Sequence, residues 1–249
     1  MYQGYYNLAS QMISQNRNLN VISNNMSNAV TPGYKSDTFL GTTFREEMLY
    51  RTGGTDKKTP AAVGTVSRMW ASDTTATNFE NGAIESTGNV LDFALEGNGF
   101  FQIQTPEGTV YTRSGSFTTD NEGYLTLPGI GRVLGNGGAI QLPTDQIEVD
   151  AVGQIFSRLD GAYLGQIAVV DFEDYTQLEK DGNGMFVTGA APQGSNAQIV
   201  QGALEGSNVS MIGEMVAMMS SQRAIQSSAQ VLKMYDQLMG KASQIGSVS

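Results

Sequence analysis

The chain reads NNMSNAVTPGYK from Asn24 to Lys35, and this stretch ends a helical pattern that fills the residues before it. Thr31-Pro32-Gly33 stops a helix, because proline disfavours helical backbone in the residue before it and glycine readily enters a turn. Asparagines favour caps and turns over helix interiors. The stretch therefore predicts one helix over residues 2 to about 29, followed by a change of structure.

Apolar side chains recur in that helix on a strict seven-residue repeat, and seven of the eight repeat positions are apolar. The positions are Tyr5, Leu8, Met12, Gln15, Leu19, Ile22, Met26 and Ala29. A seam with this period packs against a partner helix. We therefore predict that Tyr5, Leu8, Met12, Leu19, Ile22 and Met26 are packing residues.

A second seam near the other end of the chain offers a partner. Its positions step by four and three through Met211, Met215, Met218, Gln222, Ile225, Ala229, Leu232, Asp236 and Met239. It predicts a helix from about residues 207–209 to about residue 239, before Gly240, and predicts packing by the apolar members Met211, Met215, Met218, Ile225, Leu232 and Met239. Methionine suits adaptable interfaces, but an ordinary core explains the Met-rich patch equally well.

Charge is distributed unevenly along the 249 residues, whose net charge is -10. Residues 1–35 and 205–249 carry five basic and three acidic side chains, which leaves nine basic against 21 acidic in the middle, a balance of -12. The middle is therefore predicted to be the solvated part. Clustered Lys and Arg that would neutralise phosphates are absent from the sequence, so nucleic-acid binding is not expected.

The absence of cysteine and histidine from the sequence narrows the chemistry. It removes thiol nucleophiles, disulfides and the common metal ligands, so no metal site, no cofactor and no catalytic residue is predicted. The longest apolar run has five residues, against about 20 for a membrane span, so no membrane insertion is expected. The opening residues lack the basic start and apolar core of a cleaved secretory signal.

From about Asn78 to Gln201 the pattern changes to short β runs separated by turn residues. Such punctuation favours an antiparallel sandwich or barrel-like domain. The predicted fold class is α+β, with N- and C-terminal helices forming a coiled-coil-like domain and an all-β domain inserted between them. The predicted domains are 1–35 with 205–249 for the helices, 36–77 for an extended or loop linker, and 78–204 for the β domain.

Acidic residues near position 171 are the best candidates for catalysis. A catalytic role in glycoside hydrolysis is a hypothesis for Asp171, Glu173 and Asp174, because that reaction needs only two carboxylates at a suitable separation. Acidic loops, however, are usually just solvated. A free-standing carbohydrate-binding β module is a third hypothesis, but it gives the two helical seams no purpose.

Four stretches resemble bacterial flagellar rod and hook proteins, in the order usual for that family. The first is residues 19–35, whose motif residues include Asn24, Asn25, Asn28, Thr31, Pro32, Gly33, Tyr34 and Lys35; Met26 and Ser27 stand where an aliphatic residue and Ala are usual. The others are Leu91 to Phe101, Tyr111 to Phe117 and Leu204 to Val209. Together they cover almost the whole chain.

The resemblance implies a non-enzymatic axial subunit that polymerises helically into the flagellar basal-body rod and transmits torque. The terminal helices would form an inner tube, with the β domain outside. Its partners would be copies of itself, neighbouring rod subunits and the flagellar type III export apparatus, with rod-surrounding rings and peptidoglycan as further candidates. Length and the GALEGSN form of residues 202–208 favour the proximal rod subunit over the distal one. A flagellum-associated peptidoglycan glycosidase remains the alternative.

Overall fold

The computed structural model describes residues 2–41, 45–51, 61–68 and 74–246. They belong to two compact units, which we describe separately. The helical unit comprises Met1–Ser27, Asp37–Thr77 and Ser210–Ser249, and the β unit comprises Asn28–Ser36 and Asn78–Val209. Residues 28–36 thus belong to the β unit. The domain boundaries predicted from the sequence place 28–35 with the helices instead, and they stay a prediction.

Both predicted helices are present. Helix α1 spans Tyr2–Ser27 and helix α2 spans Met211–Gly246. Helix α2 continues past Gly240, where the sequence predicted its end, so that boundary was wrong. A single glycine costs a helix about 1 kcal/mol relative to alanine, but it does not stop one when good helix formers such as Lys241 and Ala242 follow.

The two helices pack against each other in antiparallel orientation. Asn18 Nδ2 donates to Ser221 Oγ at 3.1 Å, and Asn25 Nδ2 donates to Glu214 Oε1 at 2.9 Å. From Asn18 to Asn25 helix α1 advances by seven residues, while the partner on α2 moves back by seven, from Ser221 to Glu214. This is the spacing that a heptad seam requires.

Four strands complete the helical unit and account for the described part of the predicted linker. They form two antiparallel pairs. The pairs are β1 (Asp37–Leu40) with β4 (Thr74–Thr77), and β2 (Arg45–Arg51) with β3 (Ala61–Arg68).

The β unit consists of short antiparallel strands, as predicted, and one 3-10 turn at Tyr175–Gln177. The strands are β5 (Ile84–Ser86), β6 (Phe93–Glu96), β7 (Phe100–Thr105), β8 (Gly108–Thr112), β9 (Thr118–Thr119), β10 (Leu125–Leu127), β11 (Gly131–Gly135), β12 (Gly138–Ala139), β13 (Ile147–Val149), β14 (Gln154–Ser157), β15 (Tyr163–Gln166), β16 (Val169–Asp171), β17 (Glu179–Lys180), β18 (Phe186–Val187), β19 (Gln193–Gly194), β20 (Gln198–Gln201) and β21 (Ala203–Glu205).

The largest sheet has ten strands, and its main path runs β17-β18-β8-β7-β11-β10-β9. Strand β12 pairs with β11, while β16 pairs with both β7 and β19. Strands β13, β14 and β15 form a second sheet, and β20–β6 and β21–β5 are separate pairs. Strands β7 and β8 form an antiparallel hairpin. The α+β fold class is confirmed.

Strand β7 separates two hydrophobic clusters. Phe101 and Ile103 belong to the main core, whereas Phe100 belongs to a smaller aromatic cluster with Tyr111 and Phe172. Successive side chains on a strand point to opposite faces, so the Phe100-Phe101 pair serves both clusters. The position of β7 at the centre of the sheet follows from this burial on two faces.

Candidate functional site

Two short segments, one where the chain first enters the β unit and one where it last leaves it, are joined by a set of buried polar contacts. We call residues 28–36 the N-terminal connector and residues 203–209 the C-terminal connector. Both belong to the β unit. The backbone N–H of Gly33 donates to the carbonyl oxygen of Glu205 at 2.7 Å, so the two connectors lie side by side.

A buried ionic cluster joins the connectors to a third segment. Lys35 Nζ lies 2.7 Å from Glu205 Oε1, and Arg113 Nη1 lies 3.2 Å from Glu205 Oε2. The side chains are only 1% to 3% exposed. We name this arrangement the ionic node. Each of its members lies in a different one of the stretches that resemble rod and hook proteins: the N-terminal motif, residues 111–117 and residues 204–209.

Backbone groups complete the ionic node. Lys35 Nζ also donates to the carbonyl oxygen of Glu80 at 2.7 Å, and Gly82 N–H donates to Glu205 Oε1 at 2.9 Å. Arg113 Nη2 donates to the carbonyl oxygen of Gly97 at 2.7 Å. Buried charges are tolerated only when their hydrogen-bonding capacity is met in this way.

The node holds two cations against one anion, and this imbalance shapes its electrostatics. Burial lowers the pKa of the Lys35 ammonium, Glu205 opposes this shift, and Arg113 adds to it. Arg113 lies over the Phe100 ring, with 5.5 Å between the guanidinium carbon and the ring centroid. Among the described residues, Arg113 Nε is a buried side-chain nitrogen without a hydrogen-bond partner. Glu205 is therefore the member on which the others depend.

Gly33 permits the close approach of the N-terminal connector to residues 113 and 114. Its φ of +70° lies in the left-handed region, and a Cβ atom there would lie 2.3 Å from the backbone nitrogen of Ser114. Any other residue would meet both backbone strain and a backbone clash. This explains in physical terms why the motif needs glycine after Pro32.

Lys180 on β17 holds the N-terminal connector from outside. Its Nζ donates to the carbonyl oxygen of Lys35 at 2.7 Å and lies 3.8 Å from the centroid of the Tyr34 ring. A cation over an aromatic face is attracted by the ring quadrupole. Tyr34 itself is buried. Lys180 was not singled out from the sequence, where a lysine on a short strand carries no distinguishing signal.

The side-chain amide of Asn208 forms hydrogen bonds with backbone groups on both sides, as the backbone of a paired β strand does. Its Oδ1 accepts from the Ser36 N–H at 2.7 Å, and its Nδ2 donates to the carbonyl oxygens of Asn78 at 2.8 Å and Glu80 at 3.0 Å. The C-terminal connector is thereby fastened to the N-terminal one at a second point, beside the ionic node.

Asn25 plays the corresponding role inside the helical unit. Its Oδ1 accepts from the Asp37 N–H at 2.9 Å, while its Nδ2 donates to the Asp37 carbonyl oxygen at 2.8 Å and to Glu214 Oε1. The residue is 2% exposed. Asn28 also bonds within the motif, since its Oδ1 accepts from Thr31 Oγ1 at 3.2 Å. Asn24 lies exposed near the end of α1.

The predicted packing residues of α1 lie mostly on its partner-facing side. Ile22 is buried, Tyr5 is exposed, and Leu8, Met12, Leu19 and Met26 are half-buried. On α2 the half-buried members are Met218, Ile225 and Leu232, whereas Met211, Met215 and Met239 are exposed. Their role in contacts between subunits stays a prediction.

The buried side of α2 is centred on serines instead of the predicted apolar positions. Ser221 and Ser228 are buried, while Gln222 and Ala229 are exposed. Ser221 Oγ accepts from Asn18, and Ser228 Oγ donates to the carbonyl oxygen of Ala224 at 2.9 Å. Hydroxyls satisfied in this way can be buried, and their small size lets the helices approach closely. A search for apolar periodicity misses them.

The acidic residues considered for glycoside hydrolysis serve as local caps. Asp174 accepts from the N–H of Thr176 at 2.9 Å, and Asp171 Oδ1 accepts from the Tyr175 hydroxyl at 2.7 Å. Hydrogen bonds from Thr176 and Gln177 lower the pKa of Asp174, and burial together with Asp171 raises the pKa of Tyr175 to about 12. A general acid needs the opposite shift, a raised carboxyl pKa. The geometry therefore favours a structural role.

Two kinds of feature are absent from the described residues. None of their helices combines the length and apolarity needed to cross a membrane. Nor do they contain a group of three or more Asp and Glu side chains placed to hold a metal ion.

Comparison with known families identifies three matching regions. Residues 6–35 match the flagellar basal body rod protein family, residues 94–157 match the D1 domain of the flagellar hook protein FlgE/F/G group, and residues 200–245 match the C-terminal region of the flagellar basal body rod FlgEFG proteins. Lys35 and Glu205 of the ionic node lie in the first and third regions.

Similar proteins cover nearly the full chain. The flagellar basal-body rod protein FlgF of Caulobacter vibrioides is 34% identical, across 92% of this chain and 91% of the relative. FlgG of Bacillus subtilis is 32% identical, across 96% and 97%, and the hook-basal body complex protein FlhO of the same organism is 29% identical across all of both chains.

Fold and site together define an α+β protein in which a β unit is inserted between two long helices and fastened by buried polar groups. The matches to known proteins identify the family to which this fold belongs here. The chain belongs to the flagellar basal-body rod FlgE/F/G family.

Proposed function

We propose that this protein is a structural subunit of the flagellar basal-body rod, which polymerises through its terminal helices and transmits torque. The observation that carries the proposal is an apolar strip on the first turns of α2. Ile212, Met215, Val216 and Met219 are each more than half exposed. They lie on the side of α2 opposite the buried Ser221, because 100° per residue places them away from the seam with α1.

Charge supports self-association through the helices. Helix α1 contains one charged residue, Arg17, and α2 contains Glu214, Arg223, Lys233, Asp236 and Lys241, so neither helix has a large net charge. The middle of the chain, at -12, repels its own copies at long range. A self-complementary surface that meets its own copy closes into a dimer, whereas two different surfaces that meet head to tail can generate helical filaments.

A charge placed in the strip tests the proposal. Val216→Glu would leave the monomer folded, because position 216 is exposed, but would prevent rod assembly by burying a carboxylate between subunits. The measurement is basal-body imaging and motility in cells that produce only the variant, with circular dichroism of the monomer. Gln226→Glu, at an exposed position further along α2, is the matched control. Normal rods with Val216→Glu would contradict the role of the strip.

We further propose that the protein is not an enzyme and reaches the basal body through the flagellar type III export apparatus. The capping roles of Asp171 and Asp174 support the first part. Incubation with purified peptidoglycan is expected to release no fragments, and release that Asp171→Asn abolishes would revive the glycosidase alternative. Relatives named FlgF and FlgG match at similar identity, so assignment to the proximal rod stays a prediction.

A further inference from the structure

The β unit carries an exposed turn with an apolar and a cationic side chain, and also a cleft with apolar walls and two exposed carboxylates. The turn joins β14 to β15, and we call residues 157–162 the β14–β15 turn. The cleft, with a volume of about 370 Å³, lies beside the β7–β8 hairpin and the loop before β18. We propose that the β14–β15 turn of one copy of the chain inserts into this cleft, the hairpin cleft, on the next copy. The inference rests on the proposed assembly into a rod.

The β14–β15 turn presents an uncovered apolar side chain on a fixed backbone. Leu159 is 70% exposed, although its neighbour Ser157 is buried. Ser157 N–H donates to the Ala162 carbonyl oxygen at 2.9 Å, and Gly161 N–H donates to the Ser157 carbonyl oxygen at 2.8 Å. Asp160 accepts from the Ala162 N–H at 3.3 Å. A turn already held in one conformation loses little entropy when it binds.

Arg158 adds a positive charge next to Leu159. It is exposed, and its backbone N–H donates to the carbonyl oxygen of Gln146 at 2.8 Å, which fixes its place on the turn. Within the described ranges, its guanidinium forms no ion pair. The turn thus places a cation on one side of Leu159, while the Asp160 carboxylate on its other side is bonded to the Ala162 N–H.

The hairpin cleft offers the complement. Its walls include the apolar side chains of Val110, Ile130 and Met185, and its rim carries the exposed carboxylates of Glu107 and Asp181. Its volume is near the lower end of the range of about 300 to 1,000 Å³ that accommodates small ligands and protruding side chains. An apolar floor with two rim carboxylates suits a leucine flanked by an arginine.

The turn of one molecule does not reach its own cleft. Residues Gly129 and Ile130 line the cleft just before β11, while an antiparallel bridge pairs Gly135, at the far end of β11, with Ile167 after β15. The chain from Ile167 back to the turn therefore continues away from the cleft. Adding the strand rises gives a separation of about 25 Å. Pairing thus requires a second copy and leaves a free turn and a free cleft at the two ends, as an open helical assembly needs.

Cysteine cross-linking tests the contact directly, because the natural chain has no cysteine. Val187 lies at the cleft and is 44% exposed. Rods assembled in cells from full-length Leu159→Cys, Val187→Cys double variant are expected to form a ladder of disulfide-linked oligomers on mild oxidation. The matched control is Val152→Cys, Val187→Cys, because Val152 is exposed to a similar degree, 65%, but lies at the other end of β14.

The outcomes separate this inference from the proposed function. Rods in which the double variant cross-links no more than the Val152 control would overturn the contact while leaving the rod assignment intact. Dimers without larger oligomers would overturn the head-to-tail arrangement. Failure of the unmodified chain to assemble into rods at all would overturn the proposed function instead.

Exchanging the charges of Arg158 and Glu107 distinguishes loss of the contact from loss of folding. Arg158→Glu places a third carboxylate at the contact and is expected to lower rod assembly about tenfold or more, since like charges oppose binding strongly. Adding Glu107→Arg to the same chain is expected to restore assembly. If the double variant assembles no better than Arg158→Glu alone, the proposed pairing of these two side chains is wrong.

Discussion

Compared at their most deeply buried polar groups, the helical unit and the β unit are held together by different chemistry. In the helical unit the neutral amide of Asn25 joins α1, β1 and α2. In the β unit three charged side chains meet in the ionic node. A neutral amide that loses a partner leaves one unpaired polar group, but a buried ion that loses its partner leaves a charge. The β unit therefore depends more strongly on having all its segments in place.

Of all the changes predicted here, Glu205→Gln should lower the free energy of unfolding most. The change leaves Lys35 and Arg113 as buried cations without an anion between them. Breaking a buried ion pair by removing one partner costs about 3 to 5 kcal/mol. Urea unfolding of the monomer, followed by circular dichroism, should show this loss. Glu122→Gln, which removes an exposed partner of Arg132, is the control and should change stability by less than about 1 kcal/mol.

Asn25→Ala should have the next largest effect, and on the helical unit. Removing the amide unpairs the Asp37 backbone groups, at a cost of about 2 kcal/mol. Amide hydrogen exchange should become faster in α1 and at the start of α2, while β7 and β8 keep their protection. Asn20→Ala, at an exposed position of α1, should change little. Equal loss of protection in β7 would show that the two units do not respond independently.

Lys180→Met should weaken the N-terminal connector by a smaller amount. It removes one hydrogen bond to the Lys35 carbonyl and the contact with the Tyr34 ring, together worth about 1 to 2 kcal/mol. The expected result is a lower urea midpoint with an unchanged slope. Lys233→Met, at an exposed position of α2, is the control. An unchanged midpoint for Lys180→Met would mean that Lys180 does not hold the connector.

The smallest predicted effect is a pH dependence of the ionic node. The pKa of Lys35 is lowered in the folded protein, so the unfolded chain binds more protons between that lowered pKa and the ordinary value of 10.5. Stability due to Lys35 should therefore rise with pH in this window. Comparison of the natural chain with Lys35→Met in this window isolates the contribution. A stability difference that falls as pH rises would contradict the assigned shift.

The sequence allowed the architecture to be predicted, because its signals are local. The heptad stripe of α1 and the Thr31-Pro32-Gly33 stop act over a few residues, and so do the turn residues between the β runs. The ionic node has no such local signal. Lys35 and Glu205 are separated by 170 positions, and a charged residue within a glycine-containing motif equally suits a solvated turn.

The seam of α2 illustrates a second limit. Apolar periodicity placed Gln222 and Ala229 on the seam, but the buried positions are Ser221 and Ser228. Serine is polar and becomes compatible with burial only when its hydroxyl finds an acceptor or donor, as Ser221 does with Asn18 of α1. That condition depends on where the partner helix lies, which the period alone does not specify.

The adjacency of the two connectors also has a consequence for protein engineering. Beside the point where the Gly33 N–H meets the Glu205 carbonyl oxygen, the chain also returns to the β unit at Asn78, whose carbonyl oxygen accepts from Asn208 Nδ2 at 2.8 Å. Domains whose entry and exit points are neighbours can be replaced or transplanted with little disturbance to the host. The exchangeable cassette is therefore residues 78–209: a foreign domain with closely spaced ends could be grafted in its place, while residues 37–77 stay with the helical unit.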